Sequence, residues 1–480
     1  MTWEAVIGLE IHVQLATKTK LFCGCSPKFG DPPNTHTCQV CLGHPGVLPV
    51  LNAEAVRLAL VVGTALGCEI ALETGFHRKN YFYPDLPKAY QISQFDNPIC
   101  GEGVVAVLTE EGEFQVRITR AHLEEDAAKL IHLSGDGRRA GASGSVVDFN
   151  RGGTPLIEIV TEPDLRSAQD ATRFLRQLRQ TLEYLGVSDC NMEEGSLRCD
   201  ANISIREVGS TELGTKTELK NMNSFRFLER GMEAEIARQI ALVDGGGRVA
   251  QETLHFDVET GELHALRSKE EAHDYRYLPE PDLVPVAPAP AWVAEIRACL
   301  PELPTELRRR WTRDLGLTYE DAEVLSQTPP LAAYFEETAA KVDPKGAANW
   351  IRGELRAQLK ETGEEPWTSK VTPTAMAELV ELVSSKTISQ PSAKEVLAEM
   401  IASGAAPATV VAERNLGQIG GDDELRTLVT QLFADHPAQA QDLRDGKTKL
   451  LGFFVGQAMK ASGGRVDAGA LTAIINEEIT

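Results

Sequence analysis

Positive charge is what this chain most lacks. Its 48 lysines and arginines stand against 70 aspartates and glutamates, a net charge of −22. That deficit excludes broad, nonspecific affinity for nucleic acid, which needs a basic surface. A shaped RNA held by a local basic patch stays open. Long apolar runs are missing too, so no segment is expected to cross a bilayer and no membrane partner is expected. Nothing at the N-terminus reads as an export leader, because Met1-Thr-Trp-Glu-Ala-Val runs straight into a strand pattern. Cysteine is scarce and odd in number, nine among 480 residues. Four of the nine cluster while the rest scatter, the usage of a cytosolic metal site and not of a disulfide framework. We therefore expect a cytoplasmic protein of two to four domains.

The clustered four are Cys23-Gly-Cys25 and Cys38-Gln-Val-Cys41. Two close pairs on turn-forming sequence can close a tetrahedral thiolate site around a structural zinc, with no position left for water. His36 and His44 lie near enough to be alternative ligands, and four reduced cysteines in a small loop would be the plainer reading. Cys68, Cys100, Cys190, Cys199 and Cys299 lack ligand spacing and read as ordinary thiols.

The densest chemistry lies in Ile118-Thr-Arg-Ala-His-Leu-Glu-Glu-Asp-Ala-Ala-Lys129. Its carboxylates suit Mg²⁺, and its Arg and Lys suit phosphate oxygens. A solvated helix start, acids first and Lys129 later, would use the same residues blandly. Upstream, Val6 to Leu15 alternates as a half-buried strand. Leu9, Ile11, Val13 and Leu15 share one face; Glu10, His12 and Gln14 share the other. Arg78 to Ser93 is a stiff aromatic loop carrying Arg78, Lys79 and Lys88. Asn150-Arg-Gly-Gly-Thr154 offers backbone N–H groups beside the Arg151 guanidinium, then returns to a strand with Glu158. It lacks the Gly-Lys-Ser/Thr ending of a P-loop.

Two further polar segments follow. Glu193 and Glu194 precede Arg198, Asp200, Asn202 and Ser204 at period two, and Glu218 to Phe225 repeats the device with Lys220 and Asn223. The block from Arg267 to Asp282 mixes both signs with tyrosines, as a phosphate or nucleotide site needs. Each face alone could be solvent; their recurrence points to one shared cleft.

Helices are expected from Asn52 to about Gly67, from the Ser167/Asp170 capping box to Gly186, and from Phe225 to Gly245. Pro285 to Trp292 reads as a stiff linker and a domain boundary. Beyond it the chain is helical, with a second boundary near Ser403 to Pro407. The tail from Gly446 to Arg465 concentrates Lys447, Lys449, Lys460 and Arg465, either an RNA-backbone contact or exposed helix lysines.

Ile7-Gly-Leu-Glu-Ile-His12, Arg78 to Ser93, Arg120 to Lys129, Asn150 to Ile159, Met192 to Ser204 and the later blocks run in one order across nearly the whole chain. In that order they resemble the B subunits of heterotrimeric tRNA-dependent amidotransferases. The resemblance implies an α+β fold. A mixed-sheet cradle catalytic domain with helices would span 1–290, with a zinc-binding insertion at 21–45. An all-α helical linker domain would span 291–405, and a small all-α YqeY-like tail 406–480.

It also implies ATP, Mg²⁺ and a structural Zn²⁺. The side-chain carboxylate of Glu-tRNA(Gln) or Asp-tRNA(Asn) would be phosphorylated, then amidated by ammonia from a glutaminase A subunit. On this resemblance Glu10, His12, Glu124 and Glu125 are the candidates for metal ligation, with Glu10, His12 and Glu125 as the Mg²⁺ set and His122 and Asp126 as alternates. Lys79, Lys88 and Arg151 would neutralise phosphates. Asn150, Glu158, Glu193, Asp200, Asn202, Lys220 and Asn223 would line the cofactor cleft and the ammonia route. Lys447, Lys449, Lys460 and Arg465 would meet tRNA. The implied partners are the A subunit, a small C subunit, aminoacylated tRNA and the charging synthetase. No amidase-type Ser-Ser-Lys arrangement is present, so glutamine hydrolysis is expected from the A subunit. Two rivals compete: a zinc-stabilised tRNA-binding module without chemistry, and a metal-dependent hydrolase built on Glu10, His12 and Glu125.

Overall fold

The computed structural model describes residues 2–133, 142–222, 224–268, 275–418, 422–462 and 464–479. Asn223 and the centre of the fourth polar block, 269–274, lie outside the described residues. The chain divides into two compact units, Met1–Glu306 and Leu307–Thr480.

In the first unit β1 (Trp3–Gln14) and α1 (Ala53–Ala65) are followed by β2 (His77–Asn80), β3 (Tyr90–Ser93), β4 (Gly103–Thr109) and β5 (Gly112–Glu125). A separate hairpin, β6 (Lys129–His132) and β7 (Ser145–Asp148), precedes β8 (Pro155–Thr161) and α2 (Ala168–Tyr184). Then come β9 (Leu197–Glu207), β10 (Thr217–Met222), α3 (Phe225–Asp244), β11 (Glu252–Phe256), β12 (Leu263–Ser268), β13 (Leu278–Pro279) and α4 (Pro290–Cys299). Among the described residues the strands form an eleven-stranded sheet in the order β12-β11-β10-β9-β1-β8-β5-β3-β2-β13, with β4 beside β5. Its pairings are antiparallel except for β10 with β11. The fold is the expected α+β mixture.

Strand β1 lies at the centre because it is apolar on one face and pairs along most of its length with β9. Leu9, Ile11 and Val13 are buried in one core with Phe174, Leu175, Leu178 and Leu182 of α2. Each such side chain contributes about 1.5–3 kcal/mol. Ser167 caps α2 by accepting from the Asp170 N–H at 3.0 Å, and Gly186, at φ +65°, lets the chain turn away. Ser224 caps α3 in the same way. With α2 and α3 packed against the sheet, its polar face is left for a cleft.

The proline-rich stretch expected to separate two domains stays inside the first unit. Val286 exchanges both backbone hydrogen bonds with Thr74, and α4, opened by Pro290, packs on α1. The stretch at 118–129, open to a helical reading, is mostly strand: Glu124 and Glu125 end β5, and Asp126 follows directly after it.

The second unit is helical. Several helices open on a capping side chain followed by proline, at Thr328-Pro329, Asp343-Pro344 and Thr372-Pro373. Helix Gln390–Ser403 ends on left-handed Gly404. Near the C-terminus a separate apolar core gathers Leu425, Val429, Phe454, Leu471 and Ile475. Among the described residues no single helix is long and apolar enough to cross a membrane.

Candidate active site and metal centre

Antiparallel register places four polar side chains in one row across neighbouring strands. His122 of β5 stands opposite Glu158 of β8, Glu158 opposite His12 of β1, and His12 opposite Arg198 of β9. Side chains alternate along each strand, so a slip of one residue would turn this row into the core. Glu124, two residues past His122, joins it on the same face. The His12 Nε2 atom lies 3.3 Å from Glu158 and 3.6 Å from Glu124, and His122 Nε2 lies 3.7 Å from Glu158. One donor atom each from His12, Glu124 and Glu158 falls within 4.8 Å of the others.

The electrostatics of this group ask for a cation. Burial and the neighbouring Glu158 charge push the Glu124 carboxyl up to about 7. Burial also works against the Glu158 charge, but the imidazoles of His122 and His12 hold its pKa well below the usual carboxylate range. Burial would lower His12, yet the hydrogen bond and charge of Glu158, aided by Glu124, raise it to about 9. His12 thus holds a proton where a divalent ion would put its charge. Two carboxylates and one imidazole leave coordination positions open, which suits Mg²⁺ or Mn²⁺ held together with phosphate oxygens.

Cations frame the group. Lys79 lies over the Tyr275 ring at 4.7 Å and shares a cavity with His12 and Glu124. Burial opposes its charge, but Tyr277, Glu124 and Glu158 outweigh that and raise its pKa. Arg120 approaches Glu158 at 3.8 Å. Arg198 holds buried Asp126 at 2.9 Å, where Gln14 donates a second hydrogen bond of 2.9 Å. Alongside, a cleft of about 880 Å³ is lined by His12, Arg151, Glu193, Arg198, Asp200 and Lys220. In it Lys220 pairs with Asp200 at 2.9 Å and with Glu218 at 3.3 Å. The Asn202 amide donates to Glu10 at 2.8 Å in a separate, smaller cavity.

Some candidates are placed elsewhere. Glu125 points to the opposite side of β5 from Glu124. It pairs with Lys88 and accepts from the Ile92 N–H at 2.9 Å, so neither Glu125 nor Lys88 reaches His12. Glu10 shares a strand face with His12 but belongs to the Asn202 group. Arg151 spends its guanidinium on the carbonyls of Ala127 and Ala128, at 2.8 and 2.9 Å. Asn150 fastens the cysteine loop, accepting from the His36 N–H and donating to the Pro32 carbonyl, each at 2.8 Å. Glu193 is exposed at the cleft rim. In the second unit Lys449 and Lys460 are exposed and Lys447 pairs with Asp442, whereas Arg465 donates to the carbonyls of Ser462 and Asn415. Sequence alone does not single out Arg198 and Tyr275 as site residues. The period-two polarity of β9 carries the only signal for Arg198.

The four cysteines converge as their spacing predicts: the sulfurs of Cys23, Cys25, Cys38 and Cys41 lie within 4.8 Å of one another. All four are free of disulfides. The Cys23 hydrogen bond draws Cys41 down to about 4 against the cost of burial, with help from the Cys38 N–H and the Lys20 charge. The cluster is braced to the sheet. Leu21 N–H donates to the Gly153 carbonyl, and Gly153 N–H to the Asp126 carbonyl, both at 2.8 Å.

Comparison with known proteins adds an independent line. Residues 5–294 match the GatB/GatE catalytic domain and residues 333–479 the GatB domain. The chain is 50% identical over 478 residues to the B subunit of the aspartyl/glutamyl-tRNA(Asn/Gln) amidotransferase of Geobacter sulfurreducens, covering 99% of this chain and 98% of that protein. The corresponding B subunits of Thermoanaerobacter sp. and Moorella thermoacetica are 47% and 49% identical over the full length of both chains. The chain belongs to the GatB/GatE family. The matched catalytic region of that family contains both ligand clusters and the eleven-stranded sheet except the first two residues of β1, while the GatB domain falls within the second unit.

Proposed function

We propose that the chain is the B subunit of a tRNA-dependent amidotransferase and carries its carboxylate-activating site. The observation that supports this most is the set of His12, Glu124 and Glu158, framed by Lys79, Arg120 and Arg198, inside the family's catalytic region. A Mg²⁺ ion held by His12, Glu124 and Glu158 would supply positive charge to the phosphate oxygens of ATP.

A carboxylate resists attack by ammonia, so it is first activated. An oxygen of the Glu or Asp side chain, attached to tRNA, bonds to the terminal phosphorus of ATP, and ADP leaves. Ammonia then bonds to the acyl carbon, phosphate departs with its bonding pair, and the nitrogen loses a proton. Lys79, protonated in the wall of the cavity, offsets charge on the transferring group. Arg198, fixed by Asp126, and Lys220, fixed by Asp200, give the cleft cations that do not need to be ordered on binding. Both Glu-tRNA(Gln) and Asp-tRNA(Asn) belong to the proposed substrate class, and the reaction is carbon–nitrogen ligation with glutamine as the amide donor. The partners are a glutaminase A subunit, a small C subunit, the charged tRNA and its synthetase, all in the cytoplasm. The cysteine quartet holds a structural Zn²⁺. The tail from 406 onward reads tRNA through Lys447, Lys449 and Lys460.

The test uses the complex with its A and C partners, mischarged tRNA, ATP, Mg²⁺ and ammonium chloride in place of glutamine. The wild type forms the amide with ATP consumed, and Glu158→Gln does not. Bound tRNA without ATP consumption or amide in the wild type would leave only a binding module. Amide formation unchanged in Glu158→Gln would move the chemistry elsewhere.

A further inference from the structure

Lys20 lies between the cysteine loop and the sheet and is fully buried. Its ammonium donates to the Phe149 carbonyl at 3.0 Å and approaches the Cys41 sulfur at 3.8 Å. The carboxylate that lines the same cavity, Glu125, is taken by Lys88 and the Ile92 N–H. A carbonyl dipole does not neutralise a charge, and an uncompensated buried ammonium costs several kcal/mol. Among the described residues, the partner of Lys20 able to carry negative charge is Cys41. The pair balances if that sulfur is a thiolate, as a metal ligand is.

The backbone is arranged to hold this contact. Lys20 N–H donates to the Cys25 carbonyl at 2.8 Å, so one residue grips the first cysteine pair by its backbone and the second by its side chain. Gly153 closes the other side at φ +85°, and a Cβ there would meet Lys20 Cδ at 3.4 Å and Cys41 Cβ at 3.7 Å. Four thiolates around a divalent ion carry a net charge of about −2, and a buried cation at the edge of such a group stabilises it, as outer groups do at metal sites.

We propose that Lys20 is the positioning residue of the four-cysteine centre: a built-in, buried counter-charge set against the Cys41 sulfur that fastens the metal loop to the sheet. This rests on the zinc reading above. The lysine is not a ligand, and its effect is exerted through the sulfur.

The test compares the full-length wild type with Lys20→Met, which keeps length and loses charge, and with Lys20→Gln, which keeps a donor for the Phe149 carbonyl. Zinc affinity is read by competition with a chelator, and Co²⁺ is substituted to read the sulfur-to-metal charge-transfer band. Both variants are expected to bind zinc about 10–100-fold more weakly. Their cobalt band moves to lower energy, because the sulfur electrons lose a stabilising cation. A second arm needs no metal. In the zinc-free chain Cys41→Asp restores an anion to Lys20 and melts at a higher temperature than Cys41→Ser, and Lys20→Met removes that advantage. Equal zinc affinity and an unmoved cobalt band in Lys20→Met, or no difference between Asp and Ser at position 41, would overturn the proposal while leaving the zinc centre standing. A wild type that binds no zinc would overturn the zinc reading and the proposal with it.

Discussion

The first unit holds two ligand clusters built on opposite principles. His12, Glu124 and Glu158 come from three strands whose backbones are locked in ladders, so their donor atoms converge before any ion arrives. The four cysteines sit on turns between β1 and α1, where few ladder bonds hold the chain. A cluster preset by a sheet can hand its ion open positions and changing partners. A cluster carried on turns needs the ion to hold its own shape. On the proposed reading, the same chain would separate an ion that serves chemistry from an ion that serves folding.

That separation can be broken in four ways. The largest effect is expected from Glu158→Gln, which removes one carboxylate of the proposed metal set: amide formation falls on the order of 10²–10³-fold or more, with zinc content and tRNA binding kept. Loss of zinc in the same variant, read by metal analysis, would show the two clusters to be one system. Next, stripping zinc or making Cys38→Ser should lower thermal stability. The difference is about 4 kcal/mol when zinc stands a thousandfold above its dissociation constant. The folded fraction keeps its turnover; equal losses of stability and turnover would erase the distinction.

A third, graded effect comes from protons. His12 is raised from its ordinary 6.5 to about 9, so its contribution to folding without metal is complete below 6.5 and is lost as pH climbs through 9. Glu124 is raised from 4.5 to about 7, so its contribution is complete below 4.5 and is lost through 7. A metal must expel these protons. Affinity at this cluster should rise about tenfold per pH unit between 7 and 9, measured by Mn²⁺ titration at fixed ionic strength. A flat profile would place the ion elsewhere. The smallest effects belong to the tail. Lys449→Ala and Lys460→Ala should each weaken tRNA binding and lower its salt slope by about 1. Arg465→Ala should act through tail stability, since that guanidinium is bonded to two carbonyls.

What the sequence made legible was local. The alternation of Leu9, Ile11 and Val13 against Glu10, His12 and Gln14 placed β1 and its polar face. Ser167 with Asp170 marked the start of α2, and the spacing of two cysteine pairs marked their meeting. What it hid was register. Glu124 and Glu125 are neighbours in sequence, yet on a strand they point to opposite sides, and only the pairing of β5 with β8 decides which one meets His12. Glu158 looked like a lining residue because nothing local says that β8 lies between β1 and β5. Arg151 and Asn150 had the chemistry of phosphate binders, but their side chains satisfy carbonyls of neighbouring segments, Ala127 and Ala128 for Arg151 and Pro32 for Asn150. The prolines after 285 suggested a linker, and packing of α4 on α1 kept them in the first unit.

The most direct test is to count Mn²⁺ ions by electron paramagnetic resonance in the zinc-loaded chain and in four single variants. One bound Mn²⁺ is predicted in the wild type, lost in Glu124→Gln and Glu158→Gln and kept in Glu10→Gln and Glu125→Gln. A Mn²⁺ ion that survives Glu158→Gln and disappears in Glu125→Gln would contradict this assignment.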